Sequence, residues 1–106
     1  MVMVNLTPHD VVVFDREGNE MILPASGFVA RCDSRTETIG EVNGIPITRT
    51  VLGSVNGLPD PADGIVYIVS RACAERVPER EDVFFPAGAV RDGGGRIIGC
   101  TKLGRI

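Results

Sequence analysis

Valine and isoleucine together number 23 in this chain, against 5 leucines. They fall in short runs between turn residues, not along a helical stripe. β-Branched side chains are stiff at χ1 and pack well on a pleated surface, so this excess argues for strands. Thirteen glycines and seven prolines punctuate the runs, and both residue types break regular elements and shape turns. A helix bundle is not what such a chain builds. At 106 residues it has the length of one domain, and residues 1–106 are read as a single domain. The hydrophobic share of 43% and charged share of 24% are those of a packed globular chain, not a disordered one. No apolar run approaches the roughly 18 residues of a membrane span.

Along the chain, Val2, Val4 and Leu6 alternate with Met3 and Asn5, a first strand that Thr7-Pro8 breaks. Proline lacks an N–H and pushes the preceding residue to an extended conformation. Val11–Phe14 is a continuous run suited to a strand covered on both faces, and Asp15–Asn19 turns it back toward Met21–Leu23. Phe28–Cys32 reads as a strand and Asp33–Glu37 as a polar loop. Val42-Asn43-Gly44-Ile45 is the sharpest local signal. Asn-Gly between β-branched residues suits a two-residue type I′ hairpin, with positive φ at both central positions. Its arms run over 38–42 and 45–52, and Pro46 marks an edge strand. Residues 53–64 read as a long loop and Ile65–Val69 as the strongest strand. Ser70 is placed as the N-cap of one short helix around residues 71–77, stopped by Pro78. Val83–Phe85 is a strand closed by Pro86, and a last hairpin pairs 89–91 with 96–98 around Asp92–Gly95. The expected fold is mainly β, a β-dominated α+β domain. Its short antiparallel strands form a small barrel or two-layer sandwich with that one helix.

Composition excludes several chemistries. The net charge is −3, without a Lys/Arg cluster, so DNA and RNA are not expected partners. Nor is a membrane. The N-terminus shows no signal-peptide pattern, and a cytoplasmic location is expected, that of the host if the chain is phage-encoded. Cys32, Cys73 and Cys100 are odd in number and far apart, which is no disulfide framework; they read as small core residues. One histidine and no Cys-x-x-Cys leave no common zinc arrangement, and neither a metal nor a cofactor is expected. Gly93-Gly94-Gly95 lies inside a hairpin and is no dinucleotide fingerprint. His9-Asp10 is the one adjacent base and carboxylate; in a strand the two would face opposite ways. No catalytic residue is assigned.

The remaining signal is for an anion. Val69-Ser70-Arg71 leads from a strand into a helix N-terminus, where free N–H groups and the helix dipole favour phosphate or carboxylate. The bland reading is a plain cap with a solvent-facing arginine. Arginine outnumbers lysine ten to one, which reads either as the codon usage of a GC-rich genome or as a supply of two-pronged anion donors. The candidate ligand-binding set is Thr7, His9, Tyr67, Ser70, Arg71, Arg80, Asp82, Phe84 and Arg91. Ser70 and Arg71 would hold the anion, with Arg80 and Arg91 beside it. Asp82 would accept from a ribose or base amine. Thr7 and His9 would add polar contacts at a strand end, and Tyr67 with Phe84 or Phe85 would stack. Arg80 and Asp82 read equally as a structural pair. R71A and R80A are expected to weaken binding with little loss of stability.

Several segments resemble a family of short phage and actinobacterial proteins. They are Asn5-Leu6-Thr7-Pro8-His9, Ser26-Gly27-x-Val29-Ala30-Arg31, Gly57-Leu58-Pro59 and Tyr67-Ile68-Val69-Ser70, then Arg80-x-Asp82-Val83 with Pro86, Arg91-Asp92 and Ile98-Gly99-Cys100. The resemblance spans nearly the whole chain, implies a phage or prophage origin and transfers no catalytic residue. Small β-rich phage proteins include some that sequester nucleotide immune signals of bacterial defence; the likeness to that group is one of type. The expected function is therefore capture of a phosphorylated nucleotide by a non-catalytic, homo-oligomeric protein. Oligomerisation is expected because an edge strand and an exposed phenylalanine would be buried against another copy. The alternatives are a protein-interaction or virion-associated structural module, and a weak nucleotide hydrolase or lyase.

Overall fold

The computed structural model describes residues 1–106. Strands β1 (Val2–Asn5), β2 (Val11–Phe14), β3 (Glu20–Leu23), β6 (Ile65–Ile68), β7 (Val83–Arg91) and β8 (Ile97–Gly104) form one sheet in the order β1-β6-β7-β8-β2-β3. Its two ends meet at a bridge between Asn5 and Ala25, where Ser26 N donates to the Asn5 carbonyl at 3.1 Å. The sheet is thus rolled into a small barrel closed by a short seam. Strands β4 (Arg31–Val42) and β5 (Ile45–Asn56) form a separate two-stranded ribbon, and α1 (Arg71–Ala74) is the one helix. The protein is mainly β with one short helix, as its composition requires.

The sheet is mixed, not purely antiparallel: β1–β6, β6–β7 and β2–β8 are parallel pairs. The helix explains one of them. A hairpin turn joins antiparallel neighbours, whereas a parallel pair needs a crossover of a dozen or more residues. Residues 69–82, carrying α1, supply that crossover between β6 and β7. Ser70 caps the helix by accepting from Cys73 N at 3.3 Å, and the regular helix ends at Ala74.

Alternation along β6 and β7 separates two apolar layers. Tyr67, Val69, Val83 and Phe85 pack with Leu6, Ala30, Cys73 and Ala74 of the helix side. Ile68, wholly buried, packs on the other face with Val11 and Cys100, and Phe84 lies against them. Cys73 and Cys100 are core residues, while Cys32 is half-buried at the root of the ribbon.

Asn5 is the one buried polar residue, and it is fully used. Its Nδ2 donates to the carbonyls of His9 (2.9 Å) and Leu23 (2.8 Å). Its Oδ1 accepts from Thr7 N (2.9 Å) and the Thr7 hydroxyl (2.6 Å). The side chain ties β1, the 7–9 turn and β3 together at the seam.

The ribbon departs most from the sequence expectation. The Asn43-Gly44 turn is present, with φ of 52° and 79°. The strands, however, run on through residues 33–37 and 53–56, where a loop is expected, and pair as far as Arg31–Asn56. These stretches carry no apolar alternation because their residues, apart from half-buried Glu37 and Val55, are exposed. Phe28–Ala30, expected as strand, is irregular, and Phe28 is 76% exposed.

Candidate functional site

The site follows from the unequal lengths of the strands. β6 pairs with β7 only as far as Ile68–Phe84 and then turns away into α1. β7 continues to Arg91 with β8 as its partner. This explains how β7 accommodates Pro86 within the strand: beyond Phe84 one edge needs no ladder bond. On the far side, β2 pairs with β8 only at Val13–Cys100. The hairpin of β7 and β8 outruns its neighbours on both sides, and the space left is an open cavity of about 700 Å³.

Phe85–Ala89 and Ile97–Cys100 form its floor and walls, and His9–Val12 and the exposed Arg71 complete its lining. The floor is apolar and low because its residues are small: Ala87, Gly88, Ala89 and Gly99. Gly88 has a φ of +70°, a conformation L side chains rarely adopt, and its missing Cβ leaves room for the Thr101 hydroxyl. The Arg71 guanidinium stands 5.4 Å from the centre of the Phe85 ring, within cation–π range. Its Nε donates to Glu75 at 3.1 Å, one turn along the helix. This side chain is 71% exposed, so the pairing is weak and leaves the other guanidinium nitrogens free.

His9 and Asp10 border the cavity together. They precede β2, which starts at Val11, so the alternation that would separate adjacent strand residues does not apply to them. Asp10 already accepts from Ala25 N at 2.9 Å. Of the nine sequence-selected residues, the cavity holds His9 and Arg71.

The other seven have structural surroundings. Thr7 closes the seam through Asn5. Tyr67 is 5% exposed in the core, and Phe84, half-buried, packs on the Ile68 face of the sheet; neither lines the cavity. Ser70 is occupied as a cap on a four-residue helix. Arg91 Nη1 donates to the Gly95 carbonyl at 2.8 Å and stays within the 92–95 turn. Arg80 and Asp82 grip one another in two-pronged fashion, Nε to Oδ1 and Nη2 to Oδ2, both at 2.8 Å. Arg80 Nη2 also donates to the Pro59 carbonyl at 3.0 Å, pinning the 57–59 loop. The Arg80 hydrogen bonds hold the Asp82 carboxyl below its ordinary range, and Asp82 in turn raises Arg80. R80A therefore carries a stability cost that the sequence reading leaves out.

The residues that sequence reasoning misses are mostly small or apolar: Ala87, Gly88, Ala89, Ile97 and Ile98. Such residues carry no chemical signature, and only the divergence of the strands gathers them. Phe85, named as one of two stacking candidates, lines the cavity but is 8% exposed, its ring packed in the core with Arg71 over it. No three His, Cys, Asp or Glu side chains come together as a metal site would need. No helix is long and apolar enough to cross a membrane. The fold and site define a small mixed β-barrel with an extended ribbon and an open, apolar-floored cavity with a cation at its rim. Comparison with protein-family models, with curated proteins and with solved structures finds no match.

Proposed function

We propose that this protein captures a small phosphorylated nucleotide in the cavity and does not transform it. The observation that carries the reading is an exposed cation, Arg71, at the border of an open and largely apolar cavity of about 700 Å³. A planar base suits the apolar floor, and a phosphate suits Arg71, with His9 also in the lining. Cavities of this volume are in the range that holds drug-sized ligands. Support for a binding role over a catalytic one comes from the acids nearby. Asp10, the one acid that lines the cavity, gives Oδ1 to the Ala25 N–H, and no hydrogen bond joins it to the His9 ring as a base and its orienting group would need. With the resemblance to short phage proteins, the reading extends to a phage-encoded sponge for a nucleotide immune signal, acting in the host cytoplasm.

Calorimetric titration with mononucleotides, cyclic nucleotides and ADP-ribose-type compounds tests this. One class should bind and be recovered unchanged after the protein is denatured. R71A should weaken that binding about tenfold or more, the loss of a charge-assisted contact worth roughly 1.5–3 kcal/mol, with an unaltered melting temperature. Absence of heat with every compound would sink the proposal, and recovery of a cleaved nucleotide would replace it with the hydrolase reading.

The interaction-module reading is favoured by a different observation, the exposed ribbon.

A further inference from the structure

We propose that Cys32 and Cys73 form a reversible dithiol–disulfide pair, oxidised by a low-molecular-weight disulfide of the glutathione type. The inference is independent of the ligand reading.

The two cysteines come from distant parts of the chain and meet where the ribbon joins the barrel. Cys32 is the second residue of β4, and Cys73 the third residue of α1. The helix packs against β4, and Cys32 packs against the core cluster that holds Cys73. The Cys73 side chain points at this stretch of backbone, its Sγ donating to the Ala30 carbonyl at 3.5 Å. The N–H and the thiol of Cys32 also act on that sulfur. Both cysteines are free. Cys100 is set apart. It lies in the second apolar cluster, with Val11 and Ile68, and its Sγ donates to the Val12 carbonyl. A disulfide needs its Cα atoms about 4.4–6.8 Å apart and its side chains turned toward each other, so the fold selects Cys32 with Cys73.

The two thiols differ in access and in readiness to ionise. Cys32 is half-buried and open to a small reagent, whereas Cys73 is 3% exposed. Burial pushes the Cys73 thiol above its ordinary pKa, and the neighbouring Cys32 adds to the shift against a hydrogen bond from Ser70. The thiolate is the nucleophile, not the thiol, so Cys73 does not react first. Cys32 gives up its proton to water, and its sulfur attacks one sulfur of the reagent. The reagent's S–S bond breaks, a mixed disulfide forms, and the leaving thiolate takes up a proton. The Cys73 sulfur then attacks the Cys32 sulfur. The mixed S–S bond breaks, and the Cys73 proton goes to the second leaving thiolate. One reagent disulfide is reduced to two thiols while two cysteines are oxidised, a two-electron exchange. The new bond ties the root of the ribbon to the helix that carries Arg71, and excess thiol reverses it.

The test incubates the folded full-length protein with oxidised and reduced glutathione at set ratios, then reads intact mass and a non-reducing peptide map. Wild type and C100S should each lose two hydrogens, with Cys32 linked to Cys73, and regain them in excess reduced glutathione. C73A should stop at a glutathione adduct on Cys32. C32A should react about tenfold or more slowly, because a buried thiol is inert. Circular dichroism establishes that each variant is folded. A wild type that keeps its dithiol mass in oxidised glutathione, or that stops at glutathione adducts, would overturn the proposal without recourse to any variant. So would a link to Cys100, or a folded C32A protein that reacts on Cys73 as fast as wild type forms its bond.

Discussion

Arg80 and Asp82 show how one pair of residues decides between binding and stability. Their side chains are 16% and 17% exposed, and a ligand that recruited either would first have to break two 2.8 Å contacts. Replacing Arg80 by Ala removes both partners of the half-buried carboxylate and frees the Pro59 carbonyl. R80A should lower unfolding stability by about 1–3 kcal/mol in urea titrations, without specific loss at the cavity. The pair also sets a pH dependence. The Asp82 pKa is lowered from its ordinary 3.8, chiefly by the Arg80 hydrogen bonds. Its stabilisation is therefore fully present above 3.8 and is lost as pH falls below 3.8 through the lower folded-state value. Melting temperatures across that acid range should fall more steeply for wild type than for D82N, which has no carboxylate to protonate at this position. Equal slopes would show that other carboxylates govern acid unfolding.

At the scale of elements, the geometry of the cavity depends on how closely β2 approaches β8. A Cβ on Gly99 would stand 2.5 Å from the Phe14 ring and 2.8 Å from the Val12 carbonyl oxygen. The ring could turn aside, but the carbonyl belongs to the backbone of β2. G99A should push the strands apart, costing about 1–3 kcal/mol as overpacking does, and should widen the cavity enough to weaken nucleotide binding as well. A G99A protein of wild-type stability, measured by denaturant titration, would show that β2 is free to shift. This close approach could not be read from the sequence, because it depends on one glycine meeting a ring 85 positions earlier in the chain. The local signals were legible: the Asn43-Gly44 turn, the Ser70 cap and the apolar run of β6 each depend on neighbours in sequence. The extension of β4 through Asp33–Glu37 was not, since its strand character comes from pairing with residues 49–55. For the site, Arg71 and His9 stood out by their chemistry. Tyr67 and Phe84 carried the same chemical promise, but Tyr67 is buried in the core and Phe84 lies on the Ile68 face, outside the cavity lining.

The molecule as a whole combines a rolled sheet with an arm that shares little of its core. Its extents are 53 × 40 × 23 Å and its radius of gyration 16.8 Å, against about 13 Å for a compact chain of this length. Apolar contacts that resist opening are confined to the barrel and the helix side. The arm beyond its root is held by its own ladder, the Asn43-Gly44 turn and the exposed Glu37–Arg49 pair, the last worth only about 0.2–1 kcal/mol. Segments with few buried contacts open at low free-energy cost while the core stays closed. Two amide populations should therefore appear in hydrogen exchange: slow amides in β6 and the first half of β7, and fast ones from 38 to 50. Arm amides that exchange as slowly as those of β6 would mean that the ribbon is held by more than its own ladder and turn.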